Sequence, residues 1–266
     1  MLGKLIKNEF RATARTFGAM YLIVFIVTVL LKLVIEIQDI FQLDNVVINI
    51  LSFVTITAFV LGIIGVVIGT FILIIKRFYD NMLKNEGYLS FTLPATVGQH
   101  IASKSIVSYI WVIVSAVFIF GIVIILFLGH TSLFVELRQD IIYIIKEFNK
   151  QHLWKYVIAI GAALLISAYN YIAMGYACFS VGQAWTRNRI AGALATYIIF
   201  QIITEIITLI CMVIMFGGNM EAMNNAQIGE AVFQPLLIFM IVEQVVLAII
   251  CTVITHVMLS KKLNLE

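Results

Sequence analysis

Two carboxylates, Glu205 and Glu243, stand near the middle of long apolar runs, and no other residues are better placed to do chemistry. A carboxylate at the centre of a bilayer costs about 2.5–3.5 kcal/mol on insertion scales, so each must face protein or water. Tyr197, Gln201, Thr204 and Thr208 recur on or near the helical face of Glu205. Gln244, Thr252 and Thr255 form a looser stripe with Glu243, and Ser167, Asn170, Tyr171 and Cys178 form another in the preceding run. Two readings stay open. Asn170, Gln201, Glu205 and Glu243 line a partly polar translocation path, or they join helices by hydrogen bonds with the carboxyls protonated or paired.

Other chemistries lack their residues. There is no GxxxxGK[ST] loop to cradle ATP, no HExxH, no GxSxG and no CxxC. His100, His130, His152 and His256 are scattered through different segments and read as surface or interfacial residues. Cys178, Cys211 and Cys251 all fall inside apolar runs, where cysteine serves as a small hydrophobe rather than a disulfide or metal ligand. With no converging nucleophile, base or ligand set, the chain is not expected to be an enzyme.

The elements that position these residues follow from composition. The chain is 62% hydrophobic and 12% charged, with a mean hydropathy of +1.08. A soluble domain is nearer half apolar and a quarter charged, so the bilayer is the expected solvent. Six stretches have the ~20 apolar residues that a span needs: 17–35, 46–75, 105–129, 156–181, 190–216 and 235–259. They are continuously apolar rather than alternating, which predicts helices and not barrel strands. The fold class expected is an all-α membrane protein of six transmembrane helices, one membrane domain over 1–266. The second stretch exceeds one crossing, and its start, Val46–Ser52, is expected to project above the membrane or to lie on its surface.

Orientation comes from the basic residues. Lys4, Lys7, Arg11, Arg15, Lys76, Arg77, Lys84, Lys104, Arg187, Arg189, Lys261 and Lys262 fall on one side; only Arg138, Lys146, Lys150 and Lys155 fall on the other. The positive-inside rule then places both termini in the cytoplasm. The net charge of +3 is this bias and implies no nucleic-acid partner. No small-residue cleavage site follows the first apolar run, which reads as a retained span. Lys32, near its outer end, is placed to snorkel or to pair with Glu36 four residues on.

The hydrophilic segments are patterned. Leu2, Leu5, Ile6 and Phe10 share a face opposite Lys4, Lys7, Asn8 and Arg11, which predicts a basic amphipathic helix over 1–16 on the inner surface, with a solvated extension of the first span as the alternative. Lys76–Glu86 reads as another, with Phe78, Tyr79, Met82 and Leu83 against Asp80, Asn81, Lys84 and Asn85, stopped by Gly87. Thr96 and Gln99 have capping-box spacing for the helix that enters the third span. A loop this apolar is expected to be covered by protein or membrane. Leu133–Phe148 predicts an amphipathic helix on the outer side, and Gly217–Gln234 is expected as an outer loop before the last span. Gly62, Gly65 and Gly69 line one strip of the second span, suited to close helix packing.

An amphipathic N-terminal helix, six spans and the connection Phe78-Tyr79-Asp80…Glu86-Gly87-Tyr88-Leu89-Ser90-Phe91-Thr92-Leu93-Pro94 resemble the permease subunits of type-2 ABC exporters, nearest to the bacterial peptide and lantibiotic-resistance branch. The topology match covers the whole chain and the motif about twenty residues. The resemblance implies an elbow helix at 1–16 and a coupling helix around Asp80–Tyr88 that enters a groove on an ATPase. Tyr79, Asp80, Asn81, Glu86, Gly87 and Tyr88 are the implied coupling residues. It implies a homodimer of permeases with two ATP-binding cassette subunits, which bind the ATP and Mg; this chain itself would hold no cofactor. It places the protein in the bacterial cytoplasmic membrane and makes the cargo an amphipathic or hydrophobic peptide. Two other readings are a proton-coupled secondary transporter using Glu205 and Glu243, and a non-transporting membrane scaffold.

Overall fold

In the computed structural model the chain is all-α. The structure describes residues 2–41, 45–84, 95–127, 131–150, 153–185, 188–217 and 228–261. Among them seven helices follow in order and no strand occurs: α1 Leu2–Phe41, α2 Val46–Leu83, α3 Val97–Phe127, α4 Thr131–Lys150, α5 Trp154–Gly182, α6 Arg189–Gly217 and α7 Ile228–Lys261. All but α4 are long and apolar enough to cross a membrane, the architecture of a multi-pass membrane protein. The amphipathic segment expected at Leu133–Phe148 is the body of α4.

The helices are longer than their apolar runs. At a rise of about 1.5 Å per residue, the 40 residues of α1 measure about 60 Å and the 38 of α2 about 57 Å, against roughly 30 Å of hydrocarbon. Their ends must therefore project. The expected elbow over 1–16 is not a separate element, because α1 is unbroken from Leu2. Gly3 and Gly18 are the only glycines of α1, too few to end it, and no proline precedes Pro94. Its amphipathy is nonetheless present, with Leu2, Leu5 and Ile6 half-buried and Lys4, Lys7 and Arg11 exposed. Likewise Lys76–Leu83 forms the last two turns of α2 rather than a helix of its own. The last outer loop is shorter than expected, since Ile228–Gln234 already belong to α7 and Pro235 lies inside that helix. In the third turn of α7, Pro235 has no N–H for the carbonyl four residues back, so one helix bond is missing there.

By its contacts the chain separates into two compact units, Met1–Ile74 with Ile106–Gln151, and Ile75–Ser105 with His152–Glu266. In the first, α1 buries Phe17, Val24 and Leu31 at seven-residue spacing, one seam of a helix. Val24 and Leu31 meet Phe59 and Val66 of α2 and Ile122 of α3 in one apolar cluster. A Cβ on Gly69 would lie 2.9 Å from Met20 Sδ, and one on Gly62 would lie 3.3 Å from Val24 Cγ1. These two glycines thus let α1 approach α2, as small residues do between membrane helices; Gly65 faces open space.

Polar and aromatic contacts complete this unit. Trp111 of α3 is stacked between Phe17 at 4.3 Å and Phe10 at 4.9 Å, and its Nε1 donates to Thr13 Oγ1 at 2.8 Å. Ser115 joins Tyr21 at 2.7 Å and Thr70 at 2.9 Å, so three helices share one chain of hydroxyls. Lys32 pairs with Glu36 at 3.6 Å, as its spacing predicts.

In the second unit α5 packs along α7 and α6. Ala173, Met174, Ala177 and Cys178 of α5 meet Cys251 of α7, flanked by Tyr169, Phe200 and Ile254. The cysteines are free thiols in apolar surroundings. The ends of α5 and α6 lie so close that a Cβ on Gly182 would sit 2.5 Å from the backbone nitrogen of Ala193. The start of α3 carries the expected capping box. Gln99 N donates to Thr96 Oγ1 and Thr96 N to Gln99 Oε1, both at 3.3 Å.

Candidate functional site

Two regions hold the residues singled out by sequence, and both lie within the second unit. The first is the end of α2. Phe78 and Met82, four residues apart, are buried, with Leu83 beside them, as the amphipathic pattern requires. The surface that covers Phe78 is α5: its ring stacks on Tyr176 with centroids 4.0 Å apart. Tyr79, one of the implied coupling residues, meets the edge of Phe179 at 5.7 Å and carries the Lys84 ammonium 5.1 Å above its ring. Asp80 pairs with Lys84 at 2.8 Å, the favourable acid-first order four residues apart. Asn81 is half-buried. Glu86, Gly87 and Tyr88 lie outside the described residues.

One further contact closes this region. Leu83 ends α2, so its carbonyl has no partner in its own helix. Gln183, which caps α5, donates its Nε2 to that carbonyl at 3.0 Å. Phe78, Tyr79 and Leu83 are thereby attached to Tyr176, Phe179 and Gln183, one face of the last two turns of α5. Sequence reasoning found the α2 half of this contact and missed the α5 half. The Tyr176, Phe179, Gln183 spacing was its only available signal.

The second region is the polar set in α5, α6 and α7. Asn170 is 5% exposed, and its Nδ2 donates to Gln244 Oε1 at 2.6 Å. Its Oδ1 is buried and has no hydrogen-bond partner. Thr208 of α6 is hydrogen-bonded to Oε1 of Glu243 in α7. Consecutive residues of α7 thus hold two different helices, Glu243 holding α6 and Gln244 holding α5. Tyr169 and Thr252 add a hydroxyl contact at 3.5 Å.

Thr208 also lies 2.9 Å from the carbonyl of Thr204. A hydroxyl carries one hydrogen, so it serves either that carbonyl or the carboxylate at any moment. Gln201 is half-buried one turn from Thr204, whose hydroxyl donates to the Gln201 carbonyl at 2.9 Å. Glu205 is exposed on α6. Thr208, which sequence periodicity groups with Glu205, in fact bonds Glu243.

Basic side chains are confined to the ends of these helices: Lys155 in α5, Arg189 in α6, His256 and Lys261 in α7. The nearest along α7, His256, is thirteen residues from Glu243, about 20 Å at the helical rise. Among the described residues no group of three His, Cys, Asp or Glu is arranged to hold a metal ion. What the set offers is oxygen acceptors in a low-dielectric setting, suited to binding a donor or a positive charge. No protein-family model, curated protein or solved structure matches this chain.

Proposed function

We propose that the chain is the membrane-spanning subunit of an ATP-driven exporter of the type-2 ABC class, in the bacterial cytoplasmic membrane. Two copies form the translocation path, and each takes one separate ATP-binding subunit; the cargo is an amphipathic or hydrophobic peptide. The observation that carries this reading is the fixing of the α2 end to α5 through Phe78–Tyr176, Tyr79–Phe179 and Gln183–Leu83. A partner that pushes on the segment after Leu83 moves α5, and α5 carries Asn170 and its bond to α7. ATP-driven closure of the partner subunits then shifts the population of path conformations, by as much as ATP prefers the closed state. Alanine at Glu86 and Tyr88 is expected to abolish peptide-stimulated ATP hydrolysis in the assembled complex. Stimulation at the unaltered rate in both variants would sink the coupling role.

A second reading draws on the Glu243–Thr208 contact. A proton-coupled transporter would use that carboxyl as its carrier. Transport would then follow a pH gradient without ATP and disappear in Glu243→Gln and Glu205→Gln.

A further inference from the structure

We propose that Lys4, Lys7, Arg11 and Arg15 of α1 form a binding strip for anionic phospholipids, whose phosphates lie against it in the leaflet on the N-terminal side. Such a strip needs no ATPase and stands apart from the exporter reading.

The arrangement of the four charges carries the inference. They follow one another at intervals of three, four and four residues, which at about 100° per residue puts them in one arc of about 80°. All four are exposed. Because α1 is unbroken from Leu2, the arc is one continuous strip about 16 Å long. Phe10, Thr13 and Phe17, which hold Trp111 of α3, lie about 120° round the helix, so the strip points away from α3.

The positive-inside rule accounts for basic residues beside a span but asks nothing of their direction. Here they line up, and no carboxylate lies among them. Glu9, the only acidic residue before Glu36, falls on the other side of the helix. Lys7 and Arg11, like Arg11 and Arg15, are like charges four residues apart, a spacing at which repulsion destabilises a helix. Among the described residues none of the four makes an ion pair or a side-chain hydrogen bond. An anion laid along the strip removes that repulsion.

Depth selects which anion. No charged residue occurs between Arg15 and Lys32, about 26 Å of helix and close to the hydrocarbon thickness. Arg15 thus stands at the hydrocarbon edge and Arg11 about 6 Å beyond it, within the headgroup layer. Lys7 and Lys4 follow at about 12 and 17 Å, where long side chains and a Debye length of about 8 Å keep them in the field of the surface. A soluble partner would reach Arg15 only by entering the headgroups.

The test uses the whole chain in neutral maltoside micelles at low salt. The probes are phosphatidylglycerol and phosphatidylcholine, each labelled at the end of an acyl chain, with binding read by fluorescence anisotropy. The unaltered chain is expected to bind phosphatidylglycerol about tenfold or more tightly than phosphatidylcholine, and the ratio should fall as salt is added. Arg11→Gln with Arg15→Gln should remove most of the preference, and Lys4→Gln with Lys7→Gln less of it. Arg11→Lys with Arg15→Lys should keep it and show that the fold tolerates change at both positions. Lys146→Gln with Lys150→Gln removes as much charge from exposed positions of α4 and should leave the ratio unchanged. Absence of any preference in the unaltered chain overturns the proposal. So does a preference that survives neutralisation of all four residues, or one that falls as far in the α4 variant, since net charge alone would then explain it.

Discussion

Gln183, which caps α5, donates its side-chain N–H to the carbonyl of Leu83, the last residue of α2, at 3.0 Å. A helix end that would otherwise rely on water is thus held by a residue a hundred positions away. Leucine at Gln183 is close in size but cannot donate. It is expected to lower stability by about 1 kcal/mol, the ordinary net worth of one hydrogen bond. Proteolysis between residues 84 and 95 should quicken, because the final turn of α2 frays more readily. An unchanged cleavage rate would mean that the aromatic contacts alone hold this end.

Trp111 separates two contributions in the first unit. Phenylalanine there keeps stacking on Phe10 and Phe17 but loses the bond to Thr13, and should cost about 1 kcal/mol. Alanine loses both stacks as well, each worth about 0.5–1.5 kcal/mol, and should cost roughly 2–4 kcal/mol in all. Thermal unfolding in detergent reads the difference. Equal effects would show that the ring contributes nothing beyond its N–H.

Ser115 serves two partners, so its effects should not add. Tyr21→Phe and Thr70→Val are each expected to cost about 0.6 kcal/mol, up to roughly 1.7, the range for hydrogen bonds between membrane helices, and Ser115→Ala, which loses both bonds, more than either. Combining Ser115→Ala with Tyr21→Phe should cost less than the sum, since the second change removes a bond already gone. Strict additivity in a double-mutant cycle would contradict the shared chain of hydroxyls.

The same substitution should behave differently at two glycines. Alanine at Gly69 meets the flexible end of Met20, which can turn aside, so stability should change by less than about 1 kcal/mol. Alanine at Gly182 meets the backbone of Ala193, which cannot turn aside without moving α6, and should destabilise by about 1–3 kcal/mol. Comparison of the two melting temperatures checks the ordering.

These residues also mark what the sequence makes legible. The six spans are visible because long apolar runs have no other use, and the start of α3 because Thr96 and Gln99 have the one spacing that caps reciprocally. Phe78 and Met82 were identified as one face because helical periodicity is a local property. Partners across helices are not local. Nothing near Trp111 in the sequence points to Thr13, 98 residues away. For the same reason periodicity groups Thr208 with Glu205, whereas the fold turns it to Glu243. The elbow expected at 1–16 is not separate from α1 for a simpler cause, since amphipathy alone marks no boundary and Gly18 by itself does not end the helix.

The proposed export requires an ATP-binding partner that acts on this chain. Purification in mild detergent with an ATPase subunit encoded beside it tests that most directly, followed by hydrolysis rates with and without amphipathic peptide. A complex with two copies of each chain, stimulated by peptide, is the expected result. A chain that purifies without any nucleotide-binding partner, and moves its cargo on a pH gradient alone, would contradict it.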